Sequence, residues 1–178
     1  MKRRITRILL WIGAAALVLV VAGAVLWYRT FGHYPPKEIM KDVRAGLAAR
    51  YVPEPKARVE TFLEARYGPL TDPANRQTAF LGFFDVDHIN GLTFIVSHTP
   101  APQKQANTQA MADWIANYRA TMLPEERAAL QSRLNSASGQ ALLQRATAQY
   151  QRQDVYFRAA QKPVIAELMT TLAELRKP

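Results

Sequence analysis

Between Arg7 and Arg29 the chain reads ILLWIGAAALVLVVAGAVLWY, Ile8 to Tyr28, 21 residues without a charge or a polar amide. As a helix rising about 1.5 Å per residue, this run covers about 31 Å, the thickness of a bilayer's hydrocarbon core. Trp11 stands near one end and Trp27 and Tyr28 at the other, where amphipathic rings favour the headgroup level. Lys2, Arg3, Arg4 and Arg7 precede the run. By the positive-inside bias, residues 1–7 are then a cytoplasmic basic tail and 8–28 a transmembrane anchor. The expected placement is the bacterial inner membrane, crossed once, with the main domain in the periplasm.

A cleavable signal peptide competes with this reading, because Ala22, Gly23 and Ala24 resemble the small-residue pattern before a signal-peptidase cut. The apolar run continues past them through Val25, Leu26, Trp27 and Tyr28, longer than a signal peptide needs, which favours an anchor. No two small residues in the run stand four apart, so it lacks the surface on which two membrane helices approach closely.

The formal charge of the 178 residues is +9, with 23 basic and 14 acidic side chains. Four of those cations lie in the tail, which leaves 19 against 14 from Arg29 onward, mixed along the chain and not massed on one element. That distribution suits a solvated surface, and nucleic acid is not an expected partner. There is no cysteine, so disulfides, thiolate nucleophiles and sulfur ligands are excluded together, and the fold must rest on its core.

After a tether at 29–35, residues 36–178 read as a compact all-α domain of about seven or eight helices. Pro36 takes a first helical position, with Ile39, Met40, Val43 and Leu47 at helical spacing up to Arg50. After the break at VPEP, Val59, Phe62, Leu63 and Tyr67 mark a helix that stops at Gly68. Asp72 and Pro73 are N-cap and N1 of a short third helix reaching Phe84. Asp85 stands before a segment carrying Ile89, Leu92, Ile95 and Val96. Asn90-Gly91 and LTFIV there are turn and strand signals, yet nothing else in the domain alternates with period two, so Gly91 to Ser97 is read as helix. Met111, Trp114, Ile115, Tyr118 and Met122 form an apolar face, Leu130 and Leu134 turn inward behind Pro124, and Ser136 caps a helix with Leu142, Leu143, Ala146 and Tyr150 on one side. Pro163 should kink or split the final stretch, Val155 to Arg176.

Chemistry-bearing residues concentrate in GFFDVDHING, where Asp85, Asp87 and His88 lie beside Phe83 and Phe84. Carboxylate and imidazole are common metal ligands. On a helix, however, Asp87 and His88 diverge by about 100°, and Gly91 and Leu92 occupy the positions where a second ligand is needed. Capping by Asp85 and a first-turn acid at Asp87 are the ordinary roles, and no metal, cofactor or catalytic residue is expected. Glu60 and Glu64, four apart, sit among Lys56, Arg58 and Arg66 and read as a solvated ion-pair face.

The segment YRATMLPEERAALQSRLNSASGQALLQRA, Tyr118 to Ala146, resembles the C-terminal part of a bacterial exported helical family of unknown function, numbered 2059 among such families. Tyr118, Glu126, Ser136, Gly139, Leu142 and Leu143 fall in matching places, while Leu134-Asn135 replaces an aromatic pair and Ala137 a proline. The resemblance covers about a sixth of the chain and implies a helical hairpin in an envelope protein. LPEERAALQ is also similar to the L-T-P-x-Q pattern of small periplasmic helical chaperones, without its Thr.

The expected function is that of a membrane-anchored helical binding module for an envelope protein or lipid, with no chemistry of its own. A metal-dependent or hydrolytic enzyme using Asp85, Asp87 and His88, and a structural subunit of an inner-membrane complex, are the alternatives. The clearest amphipathic face lies beyond Pro163: Val164, Ile165, Leu168, Met169, Leu172 and Leu175. It either completes the core or, through Leu168, Met169, Leu172 and Leu175, forms part of a partner-binding face that accepts an apolar helix or acyl chain.

Overall fold

A computed structural model describes residues 21–22, 36–96 and 101–176. The chain divides into two compact units, Met1–Met40 and Lys41–Pro178. Of the run expected to cross the membrane, 8–28, only Val21 and Ala22 are described, both helical, and the rest lies outside the described residues. Among the described residues no helix is long and apolar enough to cross a membrane.

The described chain is all-α: α1 Pro36–Ala49, α2 Pro55–Tyr67, α3 Pro73–Gly82, α4 Val86–Val96, α5 Ala101–Thr121, α6 Pro124–Asn135, α7 Ala137–Arg152, α8 Val155–Ala160 and α9 Lys162–Leu175. Four of these nine open with proline at the first position and two more, α5 and α9, carry it at the second, where its missing N–H costs nothing. The count among the described residues exceeds seven or eight because the last stretch divides into α8 and α9. Asp154 accepts from the Phe157 N–H at 2.8 Å and starts α8, a cap absent from the expectation. Pro163 then stands in the first turn of α9 and splits the stretch instead of kinking it. Asp72 accepts from Ala74 N–H at 2.9 Å and Ser136 from Gly139 N–H at 3.2 Å, as their spacing predicts. Gly91 to Val96 is helical, and there is no strand among the described residues for it to pair with. Ser97 lies outside them.

Helix α5 is the axis of the domain, with α2 and α9 packed along it. Met111, Ile115 and Tyr118 share one buried cluster with Phe62 and Leu63 of α2, Phe80 of α3, Leu130 of α6, and Val164 and Leu168 of α9. Trp114 stacks on Tyr118 at 5.7 Å and on Phe83 at 5.6 Å, while Phe80 meets Tyr118 at 5.0 Å. Arg119 clasps Glu167 at 2.7 Å, and Gln131 donates to the Leu175 carbonyl at 2.7 Å. The last turn of α9 is thereby tied down.

Charged residues find partners outside their own helices. Glu126, in the first turn of α6, is buried and takes a two-pronged ion pair from Arg76 at 2.6 and 2.8 Å. It also accepts from the Leu123 N–H at 2.8 Å, so one carboxylate opens α6 and ties it to α3. The ion-pair face around Glu60 and Glu64 loses both its arginines. Arg58 is buried, with its guanidinium on the Val52 and Pro53 carbonyls at 2.7 and 3.0 Å and on Asn107 at 3.3 Å. Arg66 turns to Asp42 at 2.7 Å. Backbone carbonyls left open by the VPEP break attract Arg58 more than a solvated glutamate does.

Candidate binding groove

The two apolar stripes in the C-terminal third do not close on each other. Along α7, Leu142, Leu143, Ala146 and Tyr150 are half-buried, and Gly139 alone among its described residues is buried. The α6–α7 joint explains the set of this helix: a Cβ on Gly139 would meet the Arg133 carbonyl and the Leu134 backbone, so glycine permits the close turn through Ser136. On α9, Val164, Leu168 and Leu175 go into the core, Ile165 and Leu172 are half-buried, and Met169 is 60% exposed.

Between them runs a groove of about 360 Å³, within the range of small-molecule pockets. One wall is Leu143, Ala146, Thr147 and Tyr150; the other is Ile165, Leu168, Met169 and Leu172. Phe83 and Phe84, at the α3–α4 junction, line it together with Val86, the first residue of α4. Arg176 also lines it, and makes no ion pair among the described residues. The arrangement is an apolar trough with one cation.

The partner face read from sequence therefore divides. Leu168, Met169 and Leu172 line the groove, Leu168 from within the core, whereas Leu175 is a core residue outside the groove's lining. Phe83 and Phe84, noticed in the sequence only as neighbours of the acidic pair, contribute to its lining. Their signal was two consecutive aromatics at a helix junction. Arg176 carried no signal, because nothing in the spacing of a terminal basic residue points to an apolar slot.

The acidic stretch resolves differently. Asp85 accepts from the His88 N–H at 3.3 Å, the capping role its position predicts. The Asp87 side chain lies outside the described residues. His88 is 7% exposed and looks to other elements: Tyr67 Oη lies 2.7 Å from its Nε2, and its Nδ1 lies 3.4 Å from Asp42 Oδ1, the oxygen that Arg66 also holds. With Nδ1–H directed to the carboxylate, Nε2 accepts the tyrosine proton. These partners are 21 and 46 positions away from His88, and no spacing rule joins them. The chain Tyr67–His88–Asp42–Arg66 has the composition of a proton relay, but both imidazole nitrogens are engaged and Arg66 neutralises the carboxylate. A Cβ on Gly82 would strike the Tyr67 hydroxyl, so that side is filled by backbone. The network braces α1, α2 and α4. Among the described residues no three acidic or histidine side chains gather as a metal site.

One buried hydroxyl is electrostatically distinct. Tyr118 is 1% exposed, and its Oη has no hydrogen-bond partner. Burial, and next the Glu126 carboxylate, push its pKa up to about 12, while Arg76 acts the other way.

No family model, curated protein or solved structure matches this chain.

Proposed function

We propose that this is a single-pass inner-membrane protein whose helical domain seats an acyl chain of an anionic envelope lipid, without chemistry of its own. Residues 8–28 are its anchor, 29–35 its tether, and the domain from residue 36 faces the periplasm, as the tail cations Lys2, Arg3, Arg4 and Arg7 favour. The resemblance of Tyr118 to Ala146 to exported proteins points to the same compartment.

The observation that carries the reading is the apolar groove with Arg176 in its lining. An aliphatic chain fits the walls, and a phosphate or carboxylate head finds the guanidinium. Ile165 to Leu172 covers about 10 Å of helix axis, the extended length of about eight methylenes. Burying these contributes about 6 kcal/mol before the cost of association, enough for reversible loading. An exchangeable lipid suits Met169, whose flexible side chain adapts to the occupant.

The test is photolabelling in proteoliposomes of the full chain with a phosphatidylglycerol that carries a diazirine in its acyl chain. Adducts are expected on Met169, Leu172 or Leu143 in addition to the anchor, and Ala146→Trp, which fills the trough, should remove the groove adducts alone. Labelling confined to residues 8–28 in the unsubstituted protein would refute the proposal.

A further inference from the structure

Helix α1 is built inside out relative to its sequence pattern. The stripe Ile39, Met40, Val43 and Leu47 has the spacing of a core face, yet among the described side chains of α1 the buried ones are Ala45, Gly46 and Ala49, with Asp42 half-buried toward Arg66. The small residues Ala45 and Ala49 join the buried core, and the bulky ones are left in solvent: Val43 is 38%, Leu47 58% and Tyr51 82% exposed.

At about 100° per residue, Leu47 lies near the centre of the outward face, with Val43 on one flank and Lys41 and Arg44 on the other. The closing turn adds Arg50, whose guanidinium lies 5.4 Å from the centre of the Tyr51 ring. Asp42, an acid of the same stretch, is turned inward to Arg66 and does not offset Arg44 and Arg50 on the surface. An apolar stripe with an aromatic residue and flanking cations is the chemistry of a helix lying in a membrane interface. A second copy of this face is a poor match, since its cations would meet cations.

Chain length selects the same occupant. Residues 29–35 span at most about 25 Å when extended, so if 8–28 cross the membrane, α1 begins within reach of the headgroups. We propose that the outward face of α1, through Val43, Leu47 and Tyr51 with Arg44 and Arg50, docks on the anionic phospholipid surface of the membrane that holds the anchor. The proposal rests on the anchor reading and is independent of what fills the groove.

Because the chain has no cysteine, one introduced at position 47 is a unique labelling site. The full chain carrying Leu47→Cys with an environment-sensitive fluorophore is placed in vesicles of phosphatidylglycerol and phosphatidylcholine, with Tyr156→Cys, on exposed α8, as comparison. The label at 47 should be quenched by lipid-borne nitroxide and protected from aqueous iodide, and the label at 156 should not. Each cation near an anionic surface favours docking about fivefold, so Arg44→Gln with Arg50→Gln should lower the ratio of docked to undocked label by an order of magnitude or more. Circular dichroism checks that both variants stay folded. If alkaline carbonate strips the chain from the vesicles, the anchor reading fails and this proposal falls with it. A chain that stays in the vesicles while its label at 47 is as open to iodide as the label at 156 overturns the docking proposal alone.

Discussion

Replacing Tyr118 by Phe should stabilise the protein at neutral pH, against the usual result for a buried tyrosine. The ring keeps its stacking on Trp114 and Phe80 and its place under Arg76, 5.5 Å away, because none of these contacts uses the hydroxyl. What is lost is an oxygen buried without a partner, whose desolvation is uncompensated in the folded state. Its removal is expected to gain about 1 kcal/mol, where deletion of a bonded hydroxyl costs about the same amount.

The alkaline limb gives a second, independent reading. Tyr118 titrates near 10 when unfolded and at about 12 when folded. Below about pH 10 the hydroxyl is neutral in both states and adds no pH dependence. Between these values the unfolded chain releases the proton that the folded chain keeps, so stability falls as pH rises through the window. A two-unit shift corresponds to about 3 kcal/mol at most, and with solvent screening on the Arg76 side about 1–2 kcal/mol is expected. Urea unfolding in mild detergent, followed by helical circular dichroism, measures both quantities as differences between the two proteins, which cancels the titration of the other tyrosines and lysines. A loss of more than about 1 kcal/mol at neutral pH would refute the claim that the hydroxyl is unbonded. Equal alkaline losses in the two proteins would refute its raised pKa.

Gly82→Ala drives a methyl group into the Tyr67 hydroxyl and away from His88, and should cost about 2–3 kcal/mol by overpacking and a lost buried hydrogen bond. In a Tyr67→Phe background the same substitution should cost about half as much, a coupling that a double-mutant cycle reads directly. Asp85→Ala should lower stability by about 1 kcal/mol through loss of the α4 cap. Chelators should leave the helical signal and the unfolding midpoint of the unsubstituted protein unchanged, and a midpoint restored by one divalent metal would contradict the capping role.

Local signals in the sequence were sufficient for the helices themselves. Proline at the first turn, Asp72 and Ser136 as caps, and apolar spacing in α2, α5, α6 and α9 each rest on residues within one or two turns of one another. What was not legible depends on which neighbour each face meets. Met40, Val43 and Leu47 and the inward Ala45 and Ala49 both fit a helical period, and only packing selects the small pair for burial. His88 has partners on α1 and α2, so its spacing to Asp85 and Asp87 pointed to the wrong set. Arg58 and Arg66 were assigned to nearby glutamates because helical neighbours are what a sequence displays, whereas buried carbonyls and Asp42 compete for them. Half of the groove was visible as the α9 stripe; the other half required α7 to stand off the core, which follows from the Gly139 turn and not from periodicity.

The trough between α7 and α9 is proposed to hold a lipid chain in the cell. The most direct measurement places a photoreactive amino acid at Met169 in the full-length protein, irradiates native membranes and weighs the product. The expected product is the chain plus one lipid, absent when Ala146→Trp is added and absent when the photoreactive group is placed at Tyr156 instead. A product in which position 169 joins another protein's apolar segment, or equal reaction with water at 169 and 156, would contradict it.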